Sequence, residues 1–300
     1  MTAAVPVSAG QAPDGQTPDG QGQTGPGIAG ARVTLVGVIR SEWIKLRSLR
    51  STWWSLFAAV VITVGMGALF SWLRTRRVPQ VAVQRPPVGP PAGVRIFDTA
   101  QISLRGVLLA QLAVGVLGVL VITGEYATGM IRSSLSAAPR RYQVLVAKAL
   151  VFAAVIAVVT TVAAFVAFFV GQAILTALPG HQESTLSTPG ALRAIIAAST
   201  YLVLLGLMAI GIGFLIRNTA GAITTLFGIV LVAPILVATL PDPYSTDVAK
   251  FLPLNALTQA TTTLDLDPAL FSPWAGVGIV AAWAGLAIAS GLVVLLRRDA

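Results

Sequence analysis

The chain has 300 residues, of which 55% are hydrophobic and only 10% charged, with a formal net charge of +9. An average soluble domain carries roughly 25% charged residues, so a water-soluble globular protein is excluded. The basic residues flank apolar runs instead of forming a stripe on a polar face, which argues against nucleic acid as a partner. The lack of cysteine removes disulfides, thiolate nucleophiles and cysteine metal sites.

Residues 1–31 are rich in Gly, Pro, Gln and Ala and carry a near-repeat, Pro13-Asp14-Gly15-Gln16 then Pro18-Asp19-Gly20-Gln21. This composition predicts a disordered tail. It lacks the basic start and adjoining apolar core of a secretory signal, so the first apolar span is expected to be kept. Over 32–50, Leu35, Ile39, Trp43, Leu46 and Leu49 recur at helical spacing with Arg40, Lys45, Arg47 and Arg50 between them. The pattern predicts an amphipathic interfacial helix lying along an anionic leaflet and feeding the first span, with Glu42, Trp43, Lys45 and Arg47 as its candidate interfacial residues.

Six uncharged runs follow, at 51–73, 106–124, 149–180, 194–216, 218–241 and 268–296. About 20 apolar residues rising ~1.5 Å each cross a ~30 Å hydrocarbon layer, and only a helix satisfies its own backbone there. The expected fold is therefore an all-α polytopic membrane protein with six transmembrane helices, over 52–72, 106–124, 149–171, 194–216, 219–240 and 275–296, within a domain spanning 32–300. The prolines of the 74–105 linker predict an extended segment. The 125–148 segment is polar and basic, and the 242–267 segment is long and acidic. With both termini cytoplasmic in the plasma membrane, the inner segments hold 12 Lys and Arg and the outer ones 8, as the positive-inside rule favours. Arg74, Arg76 and Arg77, directly after the first span, run against that orientation.

The lysines at 45, 148 and 250 each follow a residue other than glycine, so no GxxxxGK[ST] phosphate loop exists and no ATP site of that kind is expected in this chain. The sole histidine, His181, has no metal-binding neighbours, and no nucleophile and base are placed together, so neither a metal, a cofactor nor an enzymatic activity is expected. The predicted spans contain no ionisable residue, which disfavours an ion-coupled carrier. Gly115, Gly118, Gly206, Gly211, Gly213, Gly276 and Gly278 are expected at close helix contacts, and Pro234 is expected to bend the fifth span.

Between spans two and three, Ile131, Leu135 and Ala138 fall on one helical face, Arg132 and Ser136 on another, and Pro139 ends the element. On physical grounds this segment is either a docking helix for a soluble partner or an ordinary basic inner loop. It resembles the E-x-x-x-G-T-I/L-R-x-x-L-x-x-x-P-R stretch of ABC-2 type transporter permeases at Glu125, Gly129, Ile131, Arg132, Leu135, Pro139 and Arg140; Met130 stands where threonine is usual. Residues 41–47 resemble the start of these permeases, and 251–257 resemble the outer segment before their last span. The resemblance covers 32–300, and the excess of arginine over lysine, 17 to 3, suits a GC-rich, actinobacterial-like source.

That resemblance implies a transmembrane subunit paired with a second permease, as homodimer or heterodimer, and with two copies of a separate ABC ATP-binding subunit that would carry ATP and Mg. It implies a cytoplasmic coupling helix between spans two and three, with Glu125, Gly129, Arg132, Leu135, Pro139, Arg140 and Arg141 relaying the ATPase cycle. The expected function is export of a hydrophobic or amphipathic drug, lipid or metabolite by alternating access. The alternative is a non-transporting membrane scaffold or sensor that recruits a cytoplasmic partner.

Overall fold

The computed structural model describes residues 34–77, 98–131, 141–176, 184–263 and 272–298. The predicted tail at 1–31 and the coupling residues Arg132, Leu135, Pro139 and Arg140 lie outside the described residues. In chain order the helices are α1 (Leu35–Ser48), α2 (Arg50–Arg77), α3 (Thr99–Leu104), α4 (Val107–Ala127), α5 (Arg141–Leu175), α6 (Ala191–Ile216), α7 (Thr219–Phe227), a π-helical stretch (Gly228–Val232), α8 (Ala233–Val237), α9 (Tyr244–Ala249), α10 (Pro253–Thr261) and α11 (Pro273–Arg298). No strand occurs among the described residues. Six helical stretches, formed by α2, α3 with α4, α5, α6, α7 through α8, and α11, are long and apolar enough to cross a membrane. By length and composition this is an all-α, multi-pass membrane protein.

Two stretches form the middle of the bundle: 67% of the most apolar window of α3–α4 and 72% of that of α6 are buried, against 17–33% in the other four. Lipid tails are as apolar as leucine, so helices associate in a bilayer where small residues let backbones approach. A Cβ on Gly118 of α4 would lie 2.7 Å from the Gly206 carbonyl oxygen of α6, and one on Gly211 of α6 would lie 2.3 Å from the Ala287 carbonyl carbon of α11. Gly278 departs from expectation. Its Cβ position is open, and α11 makes its close approaches through Gly276 and Gly291 instead. Buried hydroxyls and amides find partners across these faces: the Tyr201 hydroxyl donates to Gln111 Oε1 at 2.5 Å, and Ser199 of α6 bonds Thr160 and Thr161 of α5 at 2.8 and 2.7 Å.

Three segments depart from the sequence reading. The 74–105 linker is helical at both ends, because α2 runs on to Arg77 and α3 starts at Thr99, capped by the Asp98 carboxylate accepting from the Gln101 N–H at 2.9 Å. The second span thus begins before 106, and it breaks at Arg105–Gly106 where Gly106 presses on α2; a Cβ there would sit 2.0 Å from the Thr63 carbonyl oxygen. The bend expected at Pro234 takes the form of the π stretch just before it, with the Ala233 N–H reaching back to the Gly228 carbonyl. Proline has no N–H and its ring crowds the carbonyl four residues earlier, and a widened turn relieves that crowding. The acidic 242–267 segment holds α9 and α10, and α10 buries Ala256, Leu257 and Ala260.

Overpacking a tight contact costs about 1–3 kcal/mol. Gly211→Ala is therefore expected to lower the unfolding midpoint of the detergent-purified protein by several degrees, while Gly278→Ala leaves it unchanged. Equal effects in a thermal-shift assay would contradict the close α6–α11 approach.

Candidate functional site

The N-terminal helix carries the first part of the site. Thr34 caps α1 by accepting from the Gly37 N–H at 3.3 Å, and Lys45 and Arg47 occupy its last turn, where cations suit the helix dipole. Its buried residues are Val38, Glu42 and Leu46, one per turn along a single face. Val38 packs with Val144 and Ala147 of α5. The apolar face expected from the sequence is therefore split: Leu46 turns inward and Ile39 partly so, while Leu35, Trp43 and Leu49 stay exposed. Trp43 and Arg47 lie exposed on the outer side of α1. Glu42 does not, and it sits in the middle of the face that meets the bundle.

The burial of Glu42 is explained by its partners. Its Oε1 accepts from Lys45 Nζ at 2.7 Å and its Oε2 from Lys148 Nζ at 2.5 Å. Glu125 Oε1 accepts from both lysines, at 3.2 Å from Lys45 and 2.9 Å from Lys148. Among the described residues two carboxylates and two ammoniums thus cancel in charge and join α1, the last turn of α4 and the second turn of α5. The side chains of Glu42 and Lys148 are each 4% exposed and that of Glu125 9%. A buried charge of this kind survives only when paired. Burial alone would lower the Lys45 pKa, but its bonds to Glu42 and the attraction of Glu125 outweigh that and hold it above the usual 10.5.

The expectation of charge-free second and third spans is corrected here. α4 continues past Gly124 to Ala127 and α5 begins at Arg141, so Glu125 and Lys148 lie inside membrane-length helices. A lone charge at either position would be expelled from an apolar layer, whereas neutralised charges let the helices continue. At 35 residues, α5 is about 52 Å long, some 20 Å more than the hydrocarbon layer needs.

Among the predicted coupling residues, Glu125 is in the cluster, Gly129 takes a left-handed turn (φ 73°) just after α4, and Arg141 opens α5. The sequence reading did not single out Lys148 as a site residue. The available signal was that Lys148, one of only three lysines in the chain, directly borders an apolar run.

Beside the cluster lies a cleft of about 380 Å³, walled by Leu46, Leu120, Val121 and Val151 together with the four charged residues. Glu125 Oε2 is buried and accepts no hydrogen bond among the described residues. At the same end, the Arg217 guanidinium lies 5.1 Å from the Tyr126 ring centre, and Tyr126 meets Phe214 edge-on at 6.4 Å, which ties the α6–α7 turn to α4.

The opposite end is organised around one carboxylate that sequence reasoning missed. Besides capping α3, Asp98 accepts from the Thr262 hydroxyl at 3.0 Å, the Thr263 hydroxyl at 2.9 Å and the Thr263 N–H. Arg193 donates to the Thr262 carbonyl at 2.6 Å, and Gln172 donates to the Thr99 carbonyl at 3.1 Å. These bonds tie α3 to α5, α6 and the end of α10. Among the described residues no cluster of His, Asp or Glu is arranged to hold a metal.

No protein-family model matches the chain, and comparison with curated proteins finds no match.

Breaking a buried ion pair by removing one partner costs about 3–5 kcal/mol. Lys148→Met is expected to destabilise the protein on that scale, and adding Glu42→Gln to it to recover part of the loss, because Lys45 and Glu125 then remain as a balanced pair. Denaturation in mixed micelles measures both; a Lys148→Met protein as stable as the parent would remove the cluster's structural role.

Proposed function

We propose that this chain is the permease subunit of an ATP-driven exporter of the ABC-2 type, lying in the plasma membrane with both termini cytoplasmic. The observation that carries the reading is the buried ion cluster. It clamps Glu125, where the permease-like motif begins, to the interfacial helix and to the start of the third span. α4 ends and α5 begins within about two turns of the same four charges.

Force applied to the segment between α4 and α5 by a soluble partner would reach α1, α4 and α5 together. ATP and Mg would be held by a separate ATP-binding subunit, present in two copies beside two permeases, since this chain has no phosphate loop. The cargo would be hydrophobic or amphipathic, in keeping with six apolar helices. The α1 end would face the cytoplasm and the Asp98 end the outside, as the excess of Lys and Arg on the inner segments favours. At the outer end of α2, the Arg76 guanidinium stacks 5.0 Å from the Trp72 ring centre, which gives this against-the-rule cation an interfacial seat.

Two measurements test the reading. Purifying the tagged protein in mild detergent from its native host should recover an ATP-binding subunit carrying a phosphate loop; a clean permease without one, under conditions that keep other such complexes together, would favour the scaffold or sensor. In the recovered complex, Glu125→Gln should lower substrate-stimulated ATP hydrolysis by about tenfold, within the 1–3 kcal/mol range of site-to-site coupling. Unchanged stimulation would sink the coupling role.

A further inference from the structure

The cleft beside the ion cluster has the size and walls of a ligand site and one unanswered hydrogen-bonding group. Its volume of about 380 Å³ falls in the range of small-molecule pockets, roughly 300–1,000 Å³. Leu46, Leu120, Val121 and Val151 offer hydrocarbon to an apolar body. Gly124 adds open space on the last full turn of α4, because nothing lies within 4 Å of where its Cβ would be. The neighbouring residue, Glu125, lines the same cleft and is 8% exposed.

Both lysines of the cluster engage Oε1 of Glu125. Its Oε2 is buried without a donor among the described residues. A buried acceptor left in this state is costly, and a donor entering the cleft would recover that cost.

The charges around that oxygen select the donor. An ammonium would be a third cation beside Lys45 and Lys148, both of which lie within 3.2 Å of the other oxygen of the same carboxylate. A carboxylate or phosphate would bring an acceptor to a group that needs a donor, and would set another negative charge beside the carboxylates of Glu42 and Glu125. A hydroxyl supplies a proton donor with no charge, and it is small enough to approach a recessed oxygen while the lysines keep Oε1.

We propose that the cleft between α1, α4 and α5 binds a neutral apolar molecule bearing a hydroxyl group, which donates its hydrogen bond to Oε2 of Glu125. The molecule's role as cargo rests on the permease reading; the binding itself does not.

The test uses the full chain purified into nanodiscs, without any ATPase, and radiolabelled 1-hexadecanol as probe. The expected result is saturable binding near one per chain, displaced by unlabelled hexadecanol about tenfold more effectively than by hexadecylamine, hexadecanoic acid or hexadecane. Gly124→Phe, which fills the cleft from a position with free space, should weaken binding by about tenfold while leaving the unfolding midpoint in place. Glu125→Gln, which presents an N–H where the acceptor was, should weaken it comparably.

No saturable binding, equal competition by the amine or the acid, or binding indifferent to Gly124→Phe would each overturn the proposal. Binding with the expected preference by a chain that recruits no ATPase would support the site and remove the permease reading; an ATPase-bound chain without binding would do the reverse.

Discussion

Charge burial governs the α1 end of this protein. Glu42, Lys45, Glu125 and Lys148 come from three helices, and none of the buried three could stay there alone. The contacts of α1 through Val38 and Leu46 do not by themselves choose protein over lipid, since both are apolar. The ion pairs do choose. They hold α1 at one height and one rotation against α5, and they tie both to the last turn of α4.

The rest of the bundle is arranged around that fixed corner. α4 and α6 run through its middle with glycine-lined faces, and the outer helices lean on them where a side chain would not fit. At the far end a different chemistry makes a comparable tie. One carboxylate, Asp98, takes hydroxyl and backbone donors from the end of α10 and caps α3. The α1 end is thus joined by opposite charges and the far end by donors around a single anion. Between them, in the apolar layer, hydroxyl and amide pairs such as Tyr201–Gln111 add hydrogen bonds without any charge to neutralise.

The site was only half legible in the sequence. Glu42 and Lys45 stood out on an amphipathic pattern and Glu125 on its resemblance, but they were assigned to two separate roles. Nothing in one dimension says that residue 42 meets residue 148, because the pairing depends on α1 folding back along α5. Lys148 read as the boundary of an uncharged run, and Asp98 as part of a proline-rich linker. Each turned out to hold a partner far off in sequence, Glu42 at 106 residues from Lys148 and Thr263 at 165 from Asp98.

What the sequence determined by itself was the solvent and the secondary structure. Six long uncharged runs leave a backbone no option in lipid except to bond to itself as helix, and this follows from composition and length alone. What only the tertiary structure decided was which charges are buried, where the helices end and where a cleft opens. Those outcomes depend on whether an opposite charge or a gap arrives from a distant helix. A lone glutamate at position 42 or 125 would favour water; two lysines brought within hydrogen-bond reach keep both in the protein, because in a medium of low dielectric the partner, not the residue, settles whether a charge can stay.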